Sequence, residues 1–103
     1  MLTQYGEFVK GYNCTHGTKG DLNHHVLSLA AEAGEVAGYL SKLQRGKDWD
    51  YDAIVSELGD VLFHLEALCQ NLSINIEQLK IHNMEKLKGR KERGTLVGNG
   101  DKR

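Results

Sequence analysis

Not one of the 103 residues is proline, and apolar side chains recur at intervals of three and four along most of the chain. Proline ends helix interiors because it lacks the N–H and clashes with the preceding turn. A proline-free chain patterned at the helical period is suited to long rods. Leu2, Tyr5, Phe8, Val9 and Tyr12 predict a short amphipathic first helix, and residues 13–20 a polar loop. Asp21 is placed to cap a second helix, whose stripe runs Leu22, Val26, Leu29, Ala30, Ala33, Val36, Ala37, Leu40 and Leu43. Asp48 or Asp50 caps a third, with Ile54, Val55, Leu58, Val61, Leu62, Leu65 and Leu68 facing inward. After a break over 71–75, Asn75 and Gln78 resemble a capping box opening a fourth helix through Ile76, Leu79, Met84 and Leu87. No period-two alternation of any length occurs. The expected fold is all-α, a four-helix bundle built around an antiparallel central helix hairpin.

Two near-matching phrases lie on that hairpin, Glu32-Ala33-Gly34-Glu35-Val36 and Glu57-Leu58-Gly59-Asp60-Val61. Each sets two carboxylates three residues apart, hence on one helix face. Each also holds a mid-helix glycine, which costs about 1 kcal/mol relative to alanine. Between them, Arg45-Gly46-Lys47-Asp48-Trp49-Asp50 reads as the helix–helix connection. At about 1.5 Å per residue, the two acidic pairs fall within about one turn of the same level. Glu32, Glu35, Glu57 and Asp60 can therefore converge. Without a cation they would repel and raise one another's pKa. An all-oxygen ligand set suits a hard ion, Mg²⁺ or alternatively Mn²⁺, rather than zinc. A lone Glu-x-x-Glu is usually a solvated face; two matched copies favour a metal site.

Length allows one domain, 1–103, with a core over about 20–93 and a glycine-rich tail over 94–103. A formal net charge of −1 gives no general attraction to nucleic acid or membrane. The start has no basic and apolar leader pattern, and no apolar run is long enough to span a bilayer. The expectation is a soluble cytoplasmic protein. Cys14 and Cys69 fit neither a disulfide framework nor zinc spacing, and Cys69 falls on the apolar stripe. The two central helices carry apolar residues on two sides, so a homo-oligomer, dimer or tetramer, is expected to cover part of them.

Asn83, Lys86 and Arg90 share one stripe of the fourth helix. Alone they suggest a solvated basic face; beside a metal-binding acidic cluster, such a row is what a triphosphate requires. Lys42, two turns beyond Glu35, is a further candidate phosphate contact. His24 and His25 open the second helix, where a histidine is more often a surface or core residue than a ligand. His64, at i+4 from Asp60, reads as a sugar or base contact rather than a metal ligand. Tyr39 and Trp49 are candidates for stacking on a base, or for packing at the hairpin's end or at a subunit interface. The tail's glycines either form an irregular end or a flap of backbone amides over phosphate. No Walker-type phosphate loop is present.

These motifs resemble a known family. Leu29-Ala30-Ala31-Glu32-Ala33-Gly34-Glu35-Val36 and Glu57-Leu58-Gly59-Asp60-Val61-Leu62 are similar to the signature of the MazG-like, all-α nucleoside triphosphate pyrophosphohydrolases. Asn83-x-x-Lys86-Leu87-x-x-Arg90 resembles that family's fourth-helix motif, and the ending resembles tails of short single-domain members. The resemblance implies Mg²⁺-dependent hydrolysis of an NTP or dNTP between the α and β phosphates, to NMP and pyrophosphate. It implies that Glu32, Glu35, Glu57 and Asp60 hold Mg²⁺, with Glu32 or Glu35 orienting or deprotonating the water. Lys86 and Arg90 would grip phosphates and Asn83 would help place the nucleotide. The competing reading is a catalytically silent helical module that binds a nucleotide or a partner protein.

Overall fold

Thr3 starts the first helix: its hydroxyl accepts the Gly6 N–H at 2.9 Å, satisfying one of the amides a helix start leaves orphaned. In a computed structural model describing residues 1–103, four helices follow in order: α1 Gln4–Tyr12, α2 Asp21–Gln44, α3 Tyr51–Asn71 and α4 Ile76–Glu92. There is no strand, and the fold is all-α. The chain divides into two compact units, 1–73 and 74–103.

In the first unit, α2 and α3 form an antiparallel hairpin. Cross-helix partners fall in number on α3 as they rise on α2: Asp21 with Asn71, His25 with His64, and Tyr39 with Asp50. Glycine sets the turn. Gly46, at φ +96°, follows the end of α2. The Gly46 N–H donates to Leu43 O at 3.0 Å and the Lys47 N–H to Lys42 O at 3.1 Å, a Schellman closure that satisfies the terminal carbonyls. Asp50 then caps α3, its Oδ1 accepting the Ala53 N–H at 3.1 Å.

Tyr39 fastens that end. Its hydroxyl accepts the Asp50 N–H at 2.7 Å and donates to the Asp50 carbonyl at 3.0 Å. Trp49 lies edge-on to the same ring, with centroids 6.3 Å apart. Both aromatics therefore meet at the hairpin's end, one of the placements open from sequence. Lys47 Nζ stands 5.4 Å from the centre of the Tyr39 ring.

Asp21 does not cap α2 as expected. The N-cap is Gly20, with no side-chain cap bond. The carboxylate is drawn instead into the α1–α2 loop, where it accepts from Asn13 Nδ2 at 2.9 Å, Thr15 Oγ1 at 2.7 Å and, across the hairpin, Asn71 Nδ2 at 2.7 Å. Charge-assisted bonds from three donors outweigh one capping bond.

Helix α1 packs on α3 at a close approach. A Cβ at Gly6 would lie 2.8 Å from Glu66 Oε1, and Gln70 Nε2 donates to the Gly6 carbonyl at 2.8 Å. Val9, Tyr39, Ile54, Ala67 and Cys69 are the buried hydrophobics of this unit. Val55, Leu58 and Leu62, expected to face inward, are exposed in the single chain, as are Leu22, Val26 and Leu40 of α2. The hairpin covers one face of each helix, and these residues lie on the other.

In the second unit Asn75 Oδ1 accepts the Glu77 and Gln78 N–H groups at 2.8 and 3.3 Å, the expected cap of α4. The tail is irregular, held by arginines. Arg103 donates to the Thr95 and Leu96 carbonyls at 2.9 and 3.1 Å, and Arg93 to the Arg103 carbonyl at 2.8 Å.

Candidate functional site

Midway along the hairpin, Glu32 and Glu35 of α2 face Glu57 of α3. Each offers a carboxylate oxygen within 4.8 Å of the other two. Helical spacing puts the first pair one turn apart, and the antiparallel register brings Glu57 opposite. Glu32 Oε2 and Glu57 Oε2 are buried without a hydrogen-bond partner. A buried, unpartnered carboxylate oxygen is costly. Burial first, then the charges of Glu35 and Asp60, push the Glu32 carboxyl above its ordinary range. A hydrogen bond with Glu35 raises Glu57, followed by burial and the charges of Glu35, Glu32 and Asp60. Asp60 is exposed and stands outside the 4.8 Å trio, yet both glutamates feel its charge.

Two of the three, Glu35 and Glu57, open into a cleft of about 420 Å³ also lined by Gly38, Tyr39, Lys42, Lys47 and Ala53. Lys42, singled out from sequence, is thus brought to the acids. Lys47 was not singled out; its only signal was its place in the polar connection, which the Schellman turn directs back along α2. A site with carboxylate oxygens on one side and two ammonium groups on the other suits a polyanion carrying a hard cation. Two orphaned oxygens and raised carboxyl pKa values are what an oxygen-ligated divalent ion would relieve, so the donor set fits Mg²⁺ or Mn²⁺.

His64 lies elsewhere. Its Nδ1 is 2.9 Å from His25 Nδ1, and its ring centroid is 5.9 Å from that of His24. Burial, then the neighbouring His24, lowers its pKa, against the opposing pull of Asp60. His25 is 1% exposed, and burial lowers its pKa too despite the nearby Asp21 carboxylate.

Asn83, Lys86 and Arg90 belong to the second unit. Asn83 is exposed. Lys86 Nζ and Arg90 both reach the Asp101 carboxylate, at 3.4 and 3.3 Å, and Arg90 also donates to the Asp101 carbonyl at 2.9 Å. Hydrogen bonds from Arg90 and Lys86 hold the Asp101 carboxyl below its ordinary range.

An all-α chain with a carboxylate trio across a helical hairpin, opening on a lysine-bearing cleft, falls in the class of helical proteins whose site chemistry suits a divalent ion and a polyanion. Within that class, the family model described as the MazG nucleotide pyrophosphohydrolase domain matches residues 22–95, and the chain belongs to this family. It is also similar to the Gene 37 protein of Mycobacterium phage L5, at 34% identity over 87 residues, covering 80% of this chain and 76% of the relative. No solved structure matches it. No helix is long and apolar enough to cross a membrane.

Proposed function

We propose that this chain is a divalent-ion-dependent nucleoside triphosphate pyrophosphohydrolase that cleaves an NTP or dNTP between the α and β phosphates. The observation that carries this reading is the trio Glu32, Glu35 and Glu57, with two buried oxygens left unpartnered inside the family's domain.

Glu32, Glu35 and Glu57 would hold the ion, with Asp60 as the outer fourth carboxylate. When bound, Mg²⁺ would polarise the α-phosphoryl group, lower the pKa of a water and offset the charge of the leaving pyrophosphate. Glu35, the exposed member of the trio, faces the cleft and is placed to orient that water or take its proton. Lys42, with Lys47 beside it, would bind the phosphate chain. Asn83, Lys86 and Arg90 are assigned to the nucleotide by their match to the family's motif, the two cations exchanging the Asp101 carboxylate for phosphate. The whole of 1–103 would act as a single MazG-like domain. Exposed Leu22, Val26, Leu40, Val55, Leu58 and Leu62 support a homo-oligomer in which a second copy covers the outer face of the hairpin.

The full chain, given each NTP and dNTP with Mg²⁺, should release pyrophosphate and a nucleoside monophosphate. Glu35→Gln and Asp60→Asn should lose that release. Orthophosphate as the inorganic product would place the cleavage at the wrong bond. Nucleotide-dependent thermal stabilisation without turnover would replace the enzyme with a binding module.

A further inference from the structure

A second cluster of metal-competent side chains lies in the first unit, on the helical faces that carry His24, His25 and His64. Each ring presents a nitrogen within 4.8 Å of one on each of the other two. This set contains no carboxylate and differs chemically from the acidic trio: imidazole suits borderline transition ions, carboxylate oxygen suits Mg²⁺.

His25 is the fixed member. Its Nε2 is 2.9 Å from Asn13 Oδ1 and 3.2 Å from Asp21 Oδ1. Asn13 is oriented by its own donation to Asp21 from Nδ2, so the atom it turns to His25 is an acceptor. With acceptors on that side, Nε2 carries the hydrogen and Nδ1 presents its lone pair. That lone pair points at His64 Nδ1, 2.9 Å away. A buried imidazole whose outer N–H is held by a carboxylate and an amide is the arrangement that fixes metal-ligating histidines.

We propose that His24, His25 and His64 bind a borderline divalent transition-metal ion, with Zn²⁺ as the reference, through Nδ1 of His25 and His64 and one ring nitrogen of His24. The hydrogen His64 now shares with His25 moves to its own Nε2, so both rings stay neutral. Metal–nitrogen bonds of about 2.0–2.1 Å at a tetrahedral angle separate two ligand nitrogens by about 3.4 Å, so the His25–His64 pair opens by about half an ångström. His64 is only half-buried and His24 is exposed, so both can make that adjustment around the fixed His25. Three histidines leave a fourth position for water. Asn13 and Asp21 behind His25 would make the ion a tie between the α1–α2 loop, α2 and α3.

The test is Co²⁺ titrated into the full chain in excess Mg²⁺, which occupies oxygen ligands, followed by visible absorption, with Zn²⁺ as competitor. The expected result is a d–d band saturating at one Co²⁺ per chain, displaced by Zn²⁺, and a raised Tm. His64→Ala and His24→Ala, checked for helical circular dichroism, should each weaken binding at least ~10-fold, the lower end of the loss from removing even an outer-shell partner. Glu35→Gln should bind Co²⁺ as the parent does. Absence of the band, parental affinity in both histidine variants, or loss confined to Glu35→Gln would overturn the site. Pyrophosphate release plays no part in the readout, so this site and the catalytic reading fail separately.

Discussion

Glu35 and Glu57, from opposite helices of the hairpin, bring carboxylate oxygens within 4.8 Å of each other, and hydrogen bonding between the two groups, then burial, raises the pKa of Glu57. A carboxyl raised above its unfolded value favours folding while protonated, and that contribution is lost as pH climbs from the ordinary glutamate value of 4.5 through the folded one. Without divalent ions, stability should therefore fall across this window. Mg²⁺ should raise Tm by several degrees at pH 7 and by less at pH 4.5. Glu57→Gln should raise Tm in EDTA and abolish the Mg²⁺ response. Scanning fluorimetry with and without Mg²⁺ at both pH values checks this.

Lys42 shares the cleft with Glu35 and Glu57. If it binds the phosphate chain, Lys42→Ala removes a charge-assisted hydrogen bond, worth about 1.5–3 kcal/mol, and should raise KM about tenfold or more with a smaller change in kcat. Steady-state release of pyrophosphate measures it.

Asp21 collects donors from Asn13, Thr15 and Asn71. Burial works against ionisation, but these bonds and His25 win and lower the pKa from 3.8 to about 2. The stabilisation is thus present above 3.8 and lost as pH falls toward about 2. Asp21→Ala should cost about 2–3 kcal/mol, since it leaves buried donors unpaired. Urea unfolding at pH 7 and acid titration of helical circular dichroism test the two halves of this prediction.

Gly34 lies inside α2, and a Cβ there would meet nothing within 4 Å. Gly34→Ala should therefore stabilise the isolated chain by about 0.8–1 kcal/mol through helix propensity alone. Urea unfolding at low protein concentration gives the value.

Much of this was legible in local spacing. Glu32, Glu35 and Glu57 meet because three-residue steps and an antiparallel turn leave few alternatives, and Asp50 and Asn75 cap as their positions suggest. Asp21 departs from its expected capping role because its donors come from a folded loop, Asn13 and Thr15, and from Asn71 fifty residues away, and no local pattern reveals such tertiary hydrogen bonds. Val55, Leu58 and Leu62 were misplaced for a related reason. When both faces of a helix are apolar, the period identifies a helix but not which face its own chain covers. His64 looked poised for the acidic face from its i+4 step, whereas His25 of α2, thirty-nine residues earlier, engages its ring.

The hairpin is tied at one extremity by the Tyr39 hydroxyl on Asp50 and at the other by Asn71 on Asp21. It behaves as a beam supported at both ends, with the glutamates at mid-span. Such a beam resists splaying, so the two helices do not part to relieve the electrostatic pressure among the acids. Only a proton or a cation can discharge it.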